Sequence, residues 1–390
     1  VNDLFLNPLR PSVFLAPRIV LQGDGATGEI GAQLAQLVGS GTLFIVSDEA
    51  VMKLGLADAL LASVASRGFS VAFAAHVHSE PSIEVAEAAI AAANRAKPVA
   101  VLGIGGGSAI DLAKVVALAA FKDAKLETYF GATGDAERLP LVAVPTTAGT
   151  GAEVTRIAML LSDNRKIIIN TPAIIPDLVV VDPQLTVSLP RAITASTGLD
   201  ALAHAVESLL STSRSPSSSG FARQALGMIA GAIEQACAEP AALGARRSLM
   251  YGAHFAGLGL NGGVVLGHSI GYTLATRAPI PHGVSCAIAL PYCVRYALSA
   301  ARDVVEEIAE IAIGHRDAER FIDWLYDLNR ALSIPIGLPG SGVESAQPAE
   351  LAAECMSFYP RPNNPSPYDL GRLTALYEAM KAGDSTTTAF

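Results

Sequence analysis

Residues 98–114 read Pro98-Val-Ala-Val-Leu-Gly-Ile-Gly-Gly-Gly-Ser-Ala-Ile-Asp-Leu-Ala-Lys114. The stretch divides at its glycines. Pro98–Ile104 is a continuous apolar run of strand length, and the residues after it, Ala109–Phe121, carry a helical apolar pattern. A run without polar alternation predicts a strand buried on both faces, as in a parallel sheet. At the junction, Gly105, Gly106 and Gly107 let the backbone approach a ligand closely. Ser108 suits a helix N-cap, and Asp111 three positions later completes a capping-box pattern. A strand that ends in such a turn and opens a helix offers free N–H groups and the positive end of the helix dipole to a pyrophosphate. The pattern is neither G-x-G-x-x-G nor a Walker A loop, because no G-K-[ST] is present, and this disfavours a P-loop ATPase. A tight structural turn would use the same glycines.

The same alternation extends on both sides. Thr42–Ser47, Ser70–Ala75, Pro140–Val144 and Leu178–Asp182 read as strands, and Ala26–Val38, Ala59–Arg67 and Ile83–Arg95 as helices between them. Strands alternating with helices predict a parallel sheet covered on both faces. Ile157–Leu161 and Lys166–Thr171 flank Ser162-Asp163-Asn164-Arg165, the pattern of a β-hairpin. Beyond about Pro190 the strand signal stops. Ala- and Leu-rich helical patterns follow, with Ser211–Ser219 as a polar loop, Asp303–Leu332 as an amphipathic stretch and Asp369–Met380 as a last helix. The predicted organisation is an α/β domain over 1–188 and an all-α domain over 189–390.

Composition narrows the partners. A net charge of −9, with no basic cluster longer than Arg246-Arg247, argues against nucleic acid and against anionic membrane surfaces. The four cysteines are far apart and form no C-x-x-C, so a reducing cytoplasm is the expected compartment. Val1–Pro11 lacks a signal-peptide core. Phe255–Thr276 holds no Asp, Glu, Lys or Arg, yet Asn261, His268 and its glycines fit a buried core helix better than a membrane span.

Against this apolar background a few polar residues stand out. Asp200 and His204 lie four apart in the helical run Thr194–Leu210, on one face and about one turn apart. Their neighbours are Leu199, Ala201, Leu202, Ala203, Ala205 and Val206. A polar pair on a dry face needs a partner, either within the pair or a divalent cation. His268 lies in the Gly-rich apolar stretch and His282 in Pro281-His282-Gly283. One oxygen and three nitrogens would suit Zn2+ or Fe2+, with room for a substrate oxygen. His76, His78, His254 and His315 read as histidines satisfied by backbone. A second polar loop, Pro145–Glu153, places Thr146, Thr147 and Thr150 at a strand's C-terminal end, where open α/β sheets bind ligands. Those hydroxyls can meet ribose, phosphate or a carboxamide, or simply cap a helix. Asp48, which closes Leu43–Ser47, would accept hydrogen bonds from an adenosine ribose and repel a 2′-phosphate, favouring NAD over NADP. A helix N-cap is its other reading.

In order along the chain, GGGSAIDLAK, PTTAGTGAEVT, TGLDALAHAVE and GHSIGY…PHG resemble the iron-containing (group III) alcohol dehydrogenase family. The resemblance spans most of the chain, from Asp48 to Pro360-Arg361-Pro362. It implies a Rossmann-like dinucleotide-binding domain followed by an all-helical metal domain, an architecture shared with dehydroquinate synthase, with the active site in the cleft between the domains. It implies Asp200, His204, His268 and His282 as ligands of one divalent metal. It further implies Gly105, Gly106, Gly107 and Ser108 as the pyrophosphate loop and Thr146, Thr147 and Thr150 as a second cofactor loop. Lys166 matches a lysine that contacts the cofactor ribose, and Leu185 a position that lines the cofactor site. The implied activity is hydride transfer between NAD(P) and a small alcohol or aldehyde, by a homodimer or larger homo-oligomer.

The chain departs from the family at three places. Tyr272 stands where a second histidine is usual, so a phenol is the candidate for proton relay. Ala275 and Arg277 replace a glycine and an aromatic, and Arg277 prompts the expectation of a substrate with an acidic group, unless it faces solvent or pairs with a surface acid. Glu80 replaces an asparagine near the adenine side. Two other readings are a metal-free reductase similar to the maleylacetate reductases, which tend to carry Asn where this chain has Asp200, and a lyase resembling dehydroquinate synthase.

Overall fold

The computed structural model describes residues 11–73, 81–122, 124–162, 165–383 and 386. His76, His78, Glu80, Asp163 and Asn164 lie outside the described residues. The described residues divide into two units, one over Leu15–Ser188 and one from Leu189 onward, and residues 11–14 group with the second. Phe14 stacks on Phe221 of the helical unit, with ring centroids 5.5 Å apart.

In the first unit, strands β1 (Ile19–Gln22), β2 (Thr42–Ser47), β3 (Ser70–Phe73), β4 (Ala100–Gly105), β6 (Leu141–Pro145) and β9 (Leu178–Val181) form one sheet in the order β1-β9-β6-β4-β2-β3. Every pairing in it is parallel. β4 and β6 sit at its centre and are buried along their whole length, which is why their sequences carry no polar alternation. Helices α4 (Ile83–Ala96) and α5 (Gly107–Ala119) cover one face, and α1 (Ile30–Val38), α2 (Glu49–Lys53) and α3 (Asp58–Ser66) the other. The sequence reading missed β1, a four-residue strand that pairs with β9 at the sheet's edge. Parallel register sets the functional edge: Ser47 lies beside Ile104, and Gly105 beside Pro145. The loops after β2, β4 and β6 thus leave the sheet side by side.

Strands β5 (Gly131–Ala132), β7 (Ile157–Ser162) and β8 (Arg165–Asn170) form a second, small sheet, with β7 and β8 antiparallel as the hairpin pattern predicts. Lys114 of α5 ties this hairpin to the main sheet. Its side chain is fully buried, and Nζ donates to the Ile157 carbonyl at 2.6 Å and to Thr155 Oγ1 at 3.1 Å. Asp111 Oδ2 accepts from the Met159 amide at 3.0 Å.

The second unit comprises α6 (Arg191–Leu210), α7 (Pro216–Ala230), α8 (Ile233–Ala238), α9 (Leu243–Gly259), α10 (Leu266–Ala275), α11 (His282–Ile313), α12 (Ala318–Ala331), α13 (Pro348–Phe358) and α14 (Leu370–Ala382). The apolar stretch Phe255–Thr276, expected as one helix, is broken. The turn Leu260–Val265, with Gly263 at φ 77°, separates α9 from α10, and the two axes bend by 109°. Asp303–Leu332 likewise spans two helices, because Gly314 at φ 71° ends α11 and Asp317 caps α12 through the amides of Glu319 and Arg320. Among the described residues one helix, α11, is long and apolar enough to cross a membrane, but most of its apolar window is buried against the protein.

Burial pulls the Lys114 amine down to about 8 from 10.5, against the pull of Asp111 and Glu153. Between those values the unfolded lysine holds a proton that the folded one has released, so its contribution to stability rises with pH. Denaturant midpoints measured from pH 7 to 10.5 are expected to climb for wild type relative to Lys114→Met. Parallel curves for the two proteins would contradict the assignment.

Candidate metal centre and phosphate cradle

Helix α6 places Asp200, His204 and Glu207 on one buried face, at helical spacings of four and three. The break before α10 puts His268 in that helix's first turn, and α11 begins at His282. Gly283 lets the start of α11 lie directly on α6, since a methyl there would collide with the Ser196 carbonyl.

Asp200 Oδ1 is the centre of the arrangement. The Nε2 atoms of His268, His282 and His204 lie 3.6, 3.7 and 3.8 Å from it. These separations are too long for hydrogen bonds. They approach the roughly 3.4 Å between neighbouring ligands of a tetrahedral cation with bonds of about 2.1 Å. Asp200 Oδ1 and His268 Nε2 are buried without a hydrogen-bond partner. Buried polar atoms without partners are rare, and a missing ion is one of the ordinary explanations. The donor set, one carboxylate and several imidazoles, fits a divalent transition metal. Burial alone would raise the Asp200 carboxyl, but the surrounding imidazoles of His204, His282 and His268 hold it well below the usual carboxylate range.

Two contributors escaped the sequence reading. Glu207 Oε1 meets His268 Nδ1 at 2.6 Å, while Oε2 accepts from the Val265 and His268 amides at 2.8 and 3.2 Å. An ionised carboxylate that already accepts two backbone bonds leaves the proton on His268 Nδ1, so Nε2 presents its lone pair to the centre. Cys286, one turn after His282, brings its sulfur within 3.7 Å of that imidazole, and together with Asp200, His268 and His282 it forms a group able to hold a cation. Burial pushes the Cys286 thiol up. The i, i+4, i+7 spacing of Asp200, His204 and Glu207, and the i, i+4 spacing of His282 and Cys286, were the available signals.

Tyr272 does sit at this centre. Its ring stacks on His282 at 5.1 Å and 10°, and meets the edge of His268 at 6.0 Å. Arg277 is engaged elsewhere. Its guanidinium donates to Glu354 Oε2 through Nε at 3.0 Å and Nη2 at 2.5 Å, with Glu350 at 3.8 Å. That fork is taken by carboxylates of the protein itself.

In the α/β unit the structure brings Asp48, Gly105–Ser108 and Thr146–Thr150 together at the sheet edge. Gly105 holds φ 152°, where a Cβ would press on Ala109 Cβ at 2.8 Å and on Asp48 Oδ2 at 3.0 Å. A Cβ on Gly107 would sit 2.9 Å from Thr150 Oγ1, so the glycine and threonine loops meet only because side chains are missing. The cap of α5 is Gly106, without a side-chain cap bond, and Ser108 lies inside the first turn and not at the expected N-cap. The amides of Ala109 and Ile110 bond the Gly106 carbonyl at 3.2 Å, so those of Gly107 and Ser108 are the ones that face a ligand. Thr146 N donates to the Gly105 carbonyl at 2.9 Å, and Thr150 Oγ1 accepts from the Ala152 amide at 3.2 Å. Asp48 Oδ1 caps α2 through the Val51 amide at 2.8 Å, while Oδ2 faces Gly105. Lys166 stands on β8, and Leu185 is buried in the same hydrophobic core as Ile30 and Leu34.

The family model "Iron-containing alcohol dehydrogenase" matches residues 17–183, and "Fe-containing alcohol dehydrogenase family, C-terminal" matches residues 194–381. The chain belongs to the iron-containing alcohol dehydrogenase family. It is 33% identical over 378 residues to long-chain-alcohol dehydrogenase 1 of Geobacillus thermodenitrificans, covering 93% of this chain and 94% of that one. The crystal structure of a 1,3-propanediol oxidoreductase superposes with a TM-score of 0.90 at 29% identity, over 95% of this chain and 100% of that chain. Sulfoacetaldehyde reductase from Bifidobacterium kashiwanohense, solved in complex with NAD+, superposes with a TM-score of 0.88 at 28% identity, over 96% and 100%. Family membership makes the chain an alcohol dehydrogenase, an oxidoreductase.

Glu207→Gln leaves one acceptor oxygen where three donors converge. It is expected to weaken metal binding on the order of 10–100-fold with the fold retained. Competition titration with a chromogenic chelator reads this directly, and an unchanged affinity would remove Glu207 from the centre.

Proposed function

We propose that the chain is a metal-dependent, NAD-linked alcohol dehydrogenase and aldehyde reductase acting on small alcohols and aldehydes. In this reading one Fe2+ or Zn2+ is held by Asp200, His204, His268 and His282. The observation that carries it is the ring of three imidazole Nε2 atoms, 3.6–3.8 Å from a single buried carboxylate oxygen that lacks a hydrogen-bond partner. When bound, the metal polarises a carbonyl or hydroxyl oxygen and NAD(H) exchanges the hydride.

The rest is supplied by the chain's own residues. Asp200, kept ionised by the imidazoles around it, contributes the negative charge among the four ligands. Glu207 fixes the tautomer and orientation of His268, and the parallel ring of Tyr272 fixes the orientation of His282. The open amides at the start of α5, with Gly105 and Gly107 bare of side chains, receive the pyrophosphate. Thr146, Thr147 and Thr150 line the same edge, and Asp48 Oδ2 faces it with a negative charge suited to a ribose diol and hostile to a 2′-phosphate. Lys166 remains the candidate for a ribose contact. Tyr272 Oη is the candidate to pass the alcohol proton onward. All four cysteines are buried and unpaired, in keeping with a cytoplasmic enzyme.

The intact carboxylate at Asp200 favours this reading over a metal-free reductase, and net consumption of NADH separates it from a lyase that merely recycles the cofactor. Stripping the protein with a chelator is expected to abolish aldehyde-dependent NADH oxidation, and Fe2+ or Zn2+ to restore it. A full rate in the stripped protein would sink the proposal. Tyr272→Phe keeps the stacked ring and removes the hydroxyl. It is expected to lower kcat by roughly tenfold or more while metal content stays constant, and an unchanged kcat would assign the proton to another route.

A further inference from the structure

We propose that Arg361 reads an acidic group on the substrate, so that this enzyme's preferred aldehydes and alcohols carry a carboxylate, sulfonate or phosphonate. The inference rests on the dehydrogenase reading above and specifies its substrate class.

Arg361 lies in the turn Pro360-Arg-Pro362 that follows α13. Three contacts immobilise it. Its amide donates to Tyr368 Oη at 2.5 Å, and its Nε donates to Ser269 Oγ at 3.1 Å. Its Cζ lies 5.9 Å from the centroid of the Tyr272 ring. Ser269 directly follows the candidate ligand His268, and its hydroxyl is itself fixed by donation to the Tyr359 carbonyl at 2.6 Å. Tyr272 stacks on the candidate ligand His282. The guanidinium is thus tied to the metal centre by one serine on one side and one aromatic ring on the other.

Its terminal nitrogens are what distinguish it. Among the described residues, Arg361 forms no ion pair, and Nη1 and Nη2 have no protein acceptor, although the side chain is partly buried. Arg277 is held by Glu354, Arg295 by Glu319, and the buried Arg246 by Thr194 and two carbonyls. A guanidinium whose Nε is anchored presents its remaining donors in a fixed fork that matches an oxyanion bidentately. An uncompensated positive charge beside a cation site also opposes metal binding, and an incoming anion removes that penalty. A neutral substrate would leave the fork to water.

The test compares two four-carbon aldehydes, succinic semialdehyde and butanal, with NADH and the metal-loaded enzyme. Wild type is expected to favour the acid in kcat/KM. Arg361→Met is expected to lower the acid-to-neutral ratio at least tenfold, chiefly through KM. Arg361→Glu is expected to gain turnover of 4-(trimethylammonio)butanal over wild type, a gain that misfolding cannot produce. Wild-type preference for butanal, or a ratio within twofold of wild type in Arg361→Met with no gain in Arg361→Glu, overturns the inference and leaves the dehydrogenase standing. Failure of wild type to oxidise NADH with any of these aldehydes or their alcohols to reduce NAD would overturn both.

Discussion

A single carboxylate oxygen, Asp200 Oδ1, buried among three imidazole nitrogens, is the constraint around which the helical unit is arranged. Desolvating a charged oxygen and the Nε2 of His268 without hydrogen bonds is strongly unfavourable, by several kcal/mol at least. A cation bound there would reverse the sign, giving Asp200 Oδ1 and His268 Nε2 the partner they lack. Helix α6 supplies two of the candidate ligands from one face, the broken connection before α10 turns His268 inward, and the start of α11 delivers His282. Each of these features lowers the freedom of a ligand before any metal arrives. Glu207 extends the same logic outward, tying the α10 turn to α6 through the ring of His268.

The α/β unit solves a different problem with backbone and not side chains. Parallel pairing of β2, β4 and β6 brings three loops to one edge, and the missing side chains of Gly105 and Gly107 let those loops touch. The result is a surface of amides and hydroxyls with one carboxylate, suited to phosphate and ribose. Lys114 and Asp111 then lock α5 against the neighbouring hairpin, which holds the start of that helix in place. In the proposed reading the two units divide the chemistry: one offers donors to an anionic cofactor, the other offers lone pairs to a cation.

Much of this was legible in the sequence because it rests on local periodicity. Alternating apolar runs and helical patterns give the parallel sheet, and Gly-Gly-Gly-Ser after a strand gives the cradle. The D-x-x-x-H spacing gives a polar face on a dry helix. What escaped depends on long-range partners or on competing local signals. β1 is four residues at a sheet edge, too short to stand above its surroundings. The bend at Leu260–Val265 is hidden in an apolar, Gly-rich run whose composition suits one continuous helix as well as two. Ser108 looked like a cap, yet Gly106 closes the turn first. Arg277 and Arg361 are indistinguishable by composition, and only the positions of Glu354 and Ser269 assign one a structural partner and leave the other's fork open. Cys286 and Glu207 lie at helical spacings from candidate ligands, but Ala- and Leu-rich helices offer many such coincidences.

The most direct test is anomalous diffraction from crystals of the purified protein, recorded on either side of the iron and zinc absorption edges. The account predicts one strong peak, at one of those edges, about 2.1 Å from Asp200 Oδ1 and from the Nε2 atoms of His204, His268 and His282. No peak there in protein loaded with either metal, or a peak bound elsewhere with Asp200 hydrogen-bonded to protein groups, would contradict it.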